Sequence, residues 1–251
     1  MKNCLIIDDD QAFCKRFCED FGRYFLCQVA YSKVGAELLI ANPSLAFDVI
    51  LLDLYLPDKN DGLDLLPLLS LERFGVPIIA ITKEPYPTQE IAQIAHRGIH
   101  TFLSKSDYNI HLWHDHFMQA IEAAQRHILF VYDLIDQPFA GWISGTLNTP
   151  NWHISLECGN DKPENWSELF KTNQAIVPIL SPEATSATWF KEFIQALNVA
   201  KVKDKLIPLR YRPCDTEGLT YKAKKLVDFC GSTKAFFDGR KRLIELIYPE
   251  N

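Results

Sequence analysis

Residues 48–62 read DVILLDLYLPDKNDG: four aliphatic side chains, Val49 to Leu52, run directly into the carboxylate of Asp53, and Pro57, Asn60 and Gly62 break the pattern after it. A continuous apolar run of this length, rather than an alternating one, marks a strand covered on both faces, as in parallel sheets flanked by helices. Pro77-Ile78-Ile79-Ala80-Ile81 has the same character. Outward from these two runs, strands are expected at 4–7, 26–30, 48–53, 77–82 and 100–103. Segments of 3.6-residue periodicity lie between and after them, at about 11–23, 33–41, 62–72, 87–97 and 109–126. Five β/α units follow one another.

A second series starts at Ile128-Leu129-Phe130-Val131. Strands are expected at 128–131, 152–156, 175–180, 206–209 and 235–237, with helices at 137–147, 164–172, 187–200, 219–228 and 240–247. Alternating strand and helix throughout predicts the α/β class. The expectation is two flavodoxin-like three-layer domains, each with a five-stranded parallel sheet, over residues 1–126 and 127–251. No Gly/Ser/Pro-rich linker separates them, which favours stiff coupling over a loose tether.

Composition agrees with a globular chain. Of 251 residues, 47 % are hydrophobic and 23 % charged, and this length accommodates two ordinary domains. The longest apolar stretches are broken by charge, so no membrane-spanning helix is expected. Met1-Lys2-Asn3 leads straight into a strand rather than a signal peptide. The seven cysteines, at 4, 14, 18, 27, 158, 214 and 230, form no CxxC pair, which suits reduced thiols in a cytoplasm. Cys14 and Cys18 share a helix face and are expected in the core. Residues 1–125 hold 10 Lys+Arg against 17 Asp+Glu, a net of −7, and residues 126–251 hold 16 against 15, a net of +1. An acidic first half argues against DNA binding, and no helix-turn-helix segment follows it.

In an open parallel sheet, ligands bind at the carboxyl ends of strands. Asp8 and Asp9 end the first predicted strand, Asp53 the third, Thr82 the fourth, and Lys105 lies just past the fifth. Taken singly, an acid after a strand is usually a helix cap and a lysine there a surface residue. Together they make a hard-oxygen site suited to Mg²⁺, beside a carboxylate nucleophile, a hydroxyl and a neutralising ammonium, which is the equipment for phosphoryl transfer.

The segments CLIIDDD (4–10), DVILLDLYLPDKNDG (48–62), VPIIAIT (76–82) and GIHTFLSK (98–105) closely resemble the response-regulator receiver family, with 44 residues from Asp9 to Asp53 and 52 from Asp53 to Lys105. By that resemblance Asp53 is the phosphoacceptor, and Mg²⁺ is held by Asp8, Asp9, Asp53 and the main-chain carbonyl of Tyr55. Thr82 is the switch hydroxyl, Phe102 the aromatic switch residue and Lys105 the phosphate partner. The resemblance further implies a sensor histidine kinase or phosphotransfer protein as donor. It also implies a dimerisation face built from predicted helices 87–97 and 109–126 and strand 100–103. Three departures stand out: an extra residue before Gly62, Lys83 where a small residue is usual, and Ser106 where proline is common.

The second half resembles a Toll/interleukin-receptor (TIR) domain through ILFVYDLID (128–136), AIVPILSPEATSATWFKEF (175–193), KLIPLRY (205–211) and AFFDGRKRLIELI (235–247). Ser181, Trp189 and Glu192 fill the places of that family's serine, tryptophan and glutamate. Two outputs are implied: a signalling scaffold contacting other TIR domains, or an NAD⁺ hydrolase in which Glu192 stabilises an oxocarbenium-like charge. Glu192 follows Trp189 by three residues where four is common, which turns the side chain by roughly 100° on a helix. Tyr132-Asp133 replaces the family's small polar run. The bland alternative for Glu192 is a solvated acid in a helix's first turn.

His111, His114 and His116 lie close together, but no acid or cysteine completes a tetrahedral metal set. The basic clusters 201–205, 210–212, 222–225 and 240–242 read as solvated faces. The expected protein is thus a cytoplasmic response regulator phosphorylated on Asp53, with that event controlling a TIR-like second domain.

Overall fold

A computed structural model describes residues 1–56, 61–73, 75–82, 98–147, 149–161, 163, 165–216, 226–231 and 233–248. The predicted helix 87–97, Lys83, most of the predicted helix 219–228 and the loop 57–60 lie outside them. The chain divides into two compact units, one comprising Met1–Gln125 with Thr149–Asn151, the other Arg126–Asn148 with Trp152–Pro249.

The first unit contains β1 (Lys2–Ile7), α1 (Gln11–Phe21), β2 (Phe25–Ala30), α2 (Lys33–Ile40), β3 (Val49–Asp53), α3 (Asp61–Glu72), β4 (Ile78–Thr82), β5 (Ile99–Ser104) and α4 (Ile110–Ala124). Its strands run in the order β2-β1-β3-β4-β5, all neighbours parallel. Local chemistry starts the helices. Asp10 accepts from Phe13 N–H at 3.0 Å to open α1, Ser32 from Gly35 N–H at 3.2 Å to open α2, and Asn109 from Leu112 N–H at 3.1 Å to open α4. Each bond satisfies a backbone donor that the helix itself cannot.

The pleat sorts β3 between two cores. Ile50 and Leu52 face Leu65, Leu66 and Leu69, while Val49 and Leu51 face an aromatic layer of Phe17, Phe21, Trp113 and Phe117. Phe17 and Phe21 stack with centroids 4.3 Å apart. Both faces of the sheet are buried, which is why these strands read as unbroken apolar runs.

The second unit contains β6 (Arg126–Tyr132), α5 (Gln137–Thr146), β7 (Trp152–Cys158), α6 (Trp166–Thr172), β8 (Ala175–Leu180), α7 (Pro182–Ser186), α8 (Thr188–Ala200), β9 (Leu209–Arg210), β10 (Val227–Asp228) and α9 (Thr233–Ile247). Its order is β10-β9-β8-β6-β7, again parallel. Both units are therefore five-stranded flavodoxin-like sheets covered by helices. No described helix is long and apolar enough to cross a membrane.

Two sequence expectations are corrected. Ala235-Phe236-Phe237 is not a strand but part of α9, and the fifth strand is Val227–Asp228, inside the stretch expected to be helical. A short apolar triplet is compatible with either period. Here the helix wins because Gly239, Leu243 and Ile247, four residues apart, form its buried stripe. Gly239 lets the helix close on β10, since a Cβ there would meet the Asp228 carbonyl oxygen at 3.0 Å and the Phe229 ring at 3.1 Å.

Candidate functional site

In the order β2-β1-β3, the chain leaves β1 for one side and returns on the other, so a crevice opens beyond the carboxyl ends of β1 and β3. The register puts Ile7 beside Leu52, so Asp8 and Asp53 emerge side by side. Asp8 is fully buried, Asp53 nearly so, and Asp9 exposed. Carboxylate oxygens of all three lie within 4.8 Å of one another.

Lys105 reaches the crevice from just past β5. Its Nζ donates to Asp53 Oδ2 at 2.6 Å and forms an ion pair with Asp8 Oδ2 at 2.7 Å. The other oxygens are also engaged: Tyr55 N–H donates to Asp53 Oδ1 at 2.8 Å, and Asp10 N–H to Asp8 Oδ1 at 2.9 Å. Burial pushes the Asp8 carboxyl up to about 6, against the opposing pull of Lys105 and the Asp10 amide. Burial also works against the Lys105 ammonium, but its bonds to Asp53 and Asp8 prevail and hold its pKa above the usual lysine value. Lys105 Nζ lies 4.8 Å from the centroid of the Phe13 ring, a further cation contact.

Three carboxylates face one ammonium, an excess of negative charge made wholly of hard oxygen donors. That donor set fits Mg²⁺, which binds through few protein carboxylates and retains water. Thr82, buried, ends β4 next to Asp53's strand and pairs in register with Ser104. Phe102, partly buried on β5, packs against the core formed with α2 and α3. The structure thus brings Asp8, Asp9, Asp53 and Lys105 together, with Tyr55 on the turn that closes over Asp53.

Gly62 joins this site without having been singled out for chemistry. A Cβ at this position would lie 2.2 Å from the Asp53 carbonyl oxygen and 2.7 Å from Leu54 Cα. Only glycine lets α3 start this close to the backbone carrying Asp53. A glycine nine residues after a strand-ending acid was the available signal.

The residues proposed for the second unit do not form a comparable site. Glu192 is exposed on α8. Trp189 is buried, and its Nε1–H donates to Asp133 Oδ2 at 3.0 Å; a Cβ on Gly159 would overlap its ring. Ser181, fully buried, caps α7 by accepting from Ala184 N–H at 3.2 Å, and its hydroxyl lies 2.5 Å from Asp136 Oδ2. Arg212 donates to Asp136 Oδ1 at 2.8 Å and to Glu183 Oε2 at 2.6 Å. The acid facing Ser181 is therefore Asp136, which the sequence reading passed over. Arg210 pairs with Asp228, so the 210–212 cluster is internally neutralised rather than a free basic face.

A family model described as "Response regulator receiver domain" matches residues 4–123. Among solved structures, the CheY-like receiver domain protein from Methanospirillum hungatei JF-1 is 21 % identical, over 49 % of this chain and 96 % of its own, with a TM-score of 0.43. The receiver domain of Francisella response regulator 1452 is 21 % identical, over 50 % and 100 %, at 0.44. The non-phosphorylated HemR receiver domain from Leptospira biflexa is 24 % identical, over 48 % and 94 %, at 0.43. No curated protein matches the chain. With its family match spanning the acidic crevice and the lysine beside it, the N-terminal part of this chain is a response regulator receiver domain.

Proposed function

We propose that the protein is a cytoplasmic two-component response regulator that accepts a phosphoryl group on Asp53 from a histidine kinase or phosphotransfer protein. The observation that carries this reading is the Lys105 ammonium held between Asp8 and Asp53, 2.7 and 2.6 Å away, in a crevice of three carboxylates. Mg²⁺ bound by Asp8, Asp9, Asp53 and the Tyr55 carbonyl would supply the positive charge that lets two anions approach. An Asp53 carboxylate oxygen attacks phosphorus in line, and the donor imidazole departs. Lys105 transfers its contact from the carboxylate to the incoming phosphoryl oxygens, and the Thr82 hydroxyl donates to another of them. Tyr55 N–H holds the second Asp53 oxygen and so orients the nucleophile.

Inward movement of Thr82 leaves space behind it that Phe102 follows into. This rearranges the face of β5 and α4, through which a phosphorylated homodimer would form. The second unit is read as a TIR-like signalling output that engages other TIR domains. Supporting it are the strand order β10-β9-β8-β6-β7 and a serine that ends β8 ahead of the helix carrying Trp189. NAD⁺ cleavage through Glu192 does not enter this reading, because an exposed carboxylate lacks the water-excluded setting that charge stabilisation requires.

The test is incubation of the full chain with acetyl phosphate, with and without Mg²⁺, followed by phosphate-affinity electrophoresis. One shifted band that needs Mg²⁺ and vanishes in Asp53→Asn supports the reading. Equal labelling of Asp53→Asn, or none in the wild type, overturns it.

A further inference from the structure

The Lys105 ammonium has a neighbour besides its two carboxylates. Its Nζ lies over the ring of Phe13, 4.8 Å from the centroid, with Asp53 Oδ2 at 2.6 Å and Asp8 Oδ2 at 2.7 Å. The lysine side chain is only 7 % exposed, so little water competes for the charge. In such a desolvated setting the electron-rich face of an aromatic ring attracts a cation appreciably.

Local chemistry and packing place this ring. Phe13 is the third residue of α1, and its N–H is the donor that the Asp10 cap accepts at 3.0 Å. The ring is half-buried. It meets Tyr108 edge-on at 5.8 Å and lies tilted against Trp113 at 6.0 Å and Phe17 at 6.2 Å. Tyr108 follows Lys105 by three residues; its hydroxyl donates to Asp20 Oδ2 at 2.9 Å, and Arg16 lies 4.6 Å over its ring. Asp20 and Arg16 both belong to α1, so the helix carrying Phe13 and the turn carrying Lys105 are tied together.

We propose that Phe13 is a positioning residue for phosphoryl transfer, its ring holding the Lys105 ammonium in place while Asp53 changes from ion-pair partner to nucleophile. The proposal rests on the reading of Asp53 as phosphoacceptor. As the bond from an Asp53 oxygen to phosphorus forms and the donor's bond to phosphorus breaks, the carboxylate loses negative charge. Lys105, which keeps its proton throughout, must then turn to the phosphoryl oxygens. The ring neither ionises nor bonds to phosphorus, so its attraction persists through the step. Without it the ammonium would lose an anchor just when its direction matters, and misplacing a reacting group is costly in rate. A leucine would fill much of the same space without that attraction.

Phenylalanines carrying one, two or three ring fluorines, placed at position 13, weaken the negative face of the ring at nearly constant size. In the full chain with acetyl phosphate and Mg²⁺, labelling of Asp53 should slow with each added fluorine. Phe13→Leu should be slower than wild type by roughly three- to thirtyfold, and Phe13→Tyr, which keeps the ring face, should stay within about twofold. A purely packing role would not produce that gradient. The contact itself is read in the metal-free chain by NMR: the Lys105 ε-methylene protons should be shifted upfield by the ring and return to an ordinary position in Phe13→Leu. Labelling rates that are flat across the fluorine series, or unshifted Lys105 protons in the wild type, would overturn the proposal while leaving Asp53 as the acceptor. A wild-type chain that takes no label would overturn the acceptor reading and the proposal with it.

Discussion

Replacing Gly62 with alanine puts a methyl group where the backbone of β3 already stands. The new Cβ would lie 2.2 Å from the Asp53 carbonyl oxygen, 2.7 Å from Leu54 Cα and 2.9 Å from the Leu54 carbonyl carbon. Ordinary contact begins near 3.4 Å, so the two segments must part by roughly 1 Å, and no side-chain rotation can relieve a clash with main chain. Forced overpacking of this kind costs about 1–3 kcal/mol. The helix-propensity gain from glycine to alanine, about 0.5–1 kcal/mol in a helix interior and less at the second residue of α3, offsets only part of it. Because the obstructing atoms belong to Asp53 and Leu54, separation moves the phosphoacceptor itself, and a displacement of about 1 Å at a reacting group can cost on the order of 100-fold in rate. Gly141→Ala in α5 is the matched control, since nothing lies within 4 Å of its Cβ, and it should gain up to about 1 kcal/mol. Urea unfolding of the full chain should lower the Gly62→Ala midpoint by roughly 0.5–1 M. Acetyl phosphate labelling of Asp53 in the same variant should slow by at least tenfold. A Gly62→Ala protein with wild-type midpoint and labelling rate, or a Gly141→Ala protein that loses as much, would refute the reasoning.

In metal-free buffer, Asp8 gives a pH dependence of defined sign. Its folded pKa of about 6 lies above the ordinary 3.8, so between those values the folded chain holds a proton that the unfolded chain has lost. Its contribution to stability therefore falls as pH rises through that window, by at most roughly 3 kcal/mol; the wild-type minus Asp8→Asn difference in urea midpoint should shift in that direction and then level off. Lys105→Ala leaves two buried carboxylates without their cation and should cost roughly 3–5 kcal/mol at neutral pH. That loss should shrink below pH 6 and on adding Mg²⁺, and an unchanged melting temperature would contradict the assigned ion pairs. Ser181→Ala removes both the α7 cap and the hydrogen bond to Asp136 Oδ2, leaving Asp136 with its Arg212 contact, a loss of about 1–3 kcal/mol measurable by thermal unfolding. Glu192→Gln should leave stability within about 0.5 kcal/mol of wild type, and a larger loss would mean that this carboxylate has a partner in the folded protein.

The acids and the lysine of the receiver crevice were legible because each one's position depends on local order alone. An apolar run long enough to be a strand ends in Asp8 or Asp53, and in a parallel sheet all strand ends of one kind share an edge. The same logic located nine of the ten strands and the two-sheet architecture. It failed at Ala235–Phe237, where three apolar residues satisfy either period and the contact with Phe229 and the Asp228 backbone chose helix. It was silent on Asp136, Ser181 and Arg212, whose bonds span 45 and 76 positions along the chain. Periodicity, capping residues and chain breaks act between near neighbours, so the sequence alone determined the strands, their order of appearance and the acidic edge. Which side chains meet across elements depends on register and helix rotation. Those are set only when both faces of each sheet are packed at once, and so the ammonium between two carboxylates, the glycine against Asp53 and the Asp136–Ser181–Arg212 network belong to the tertiary structure.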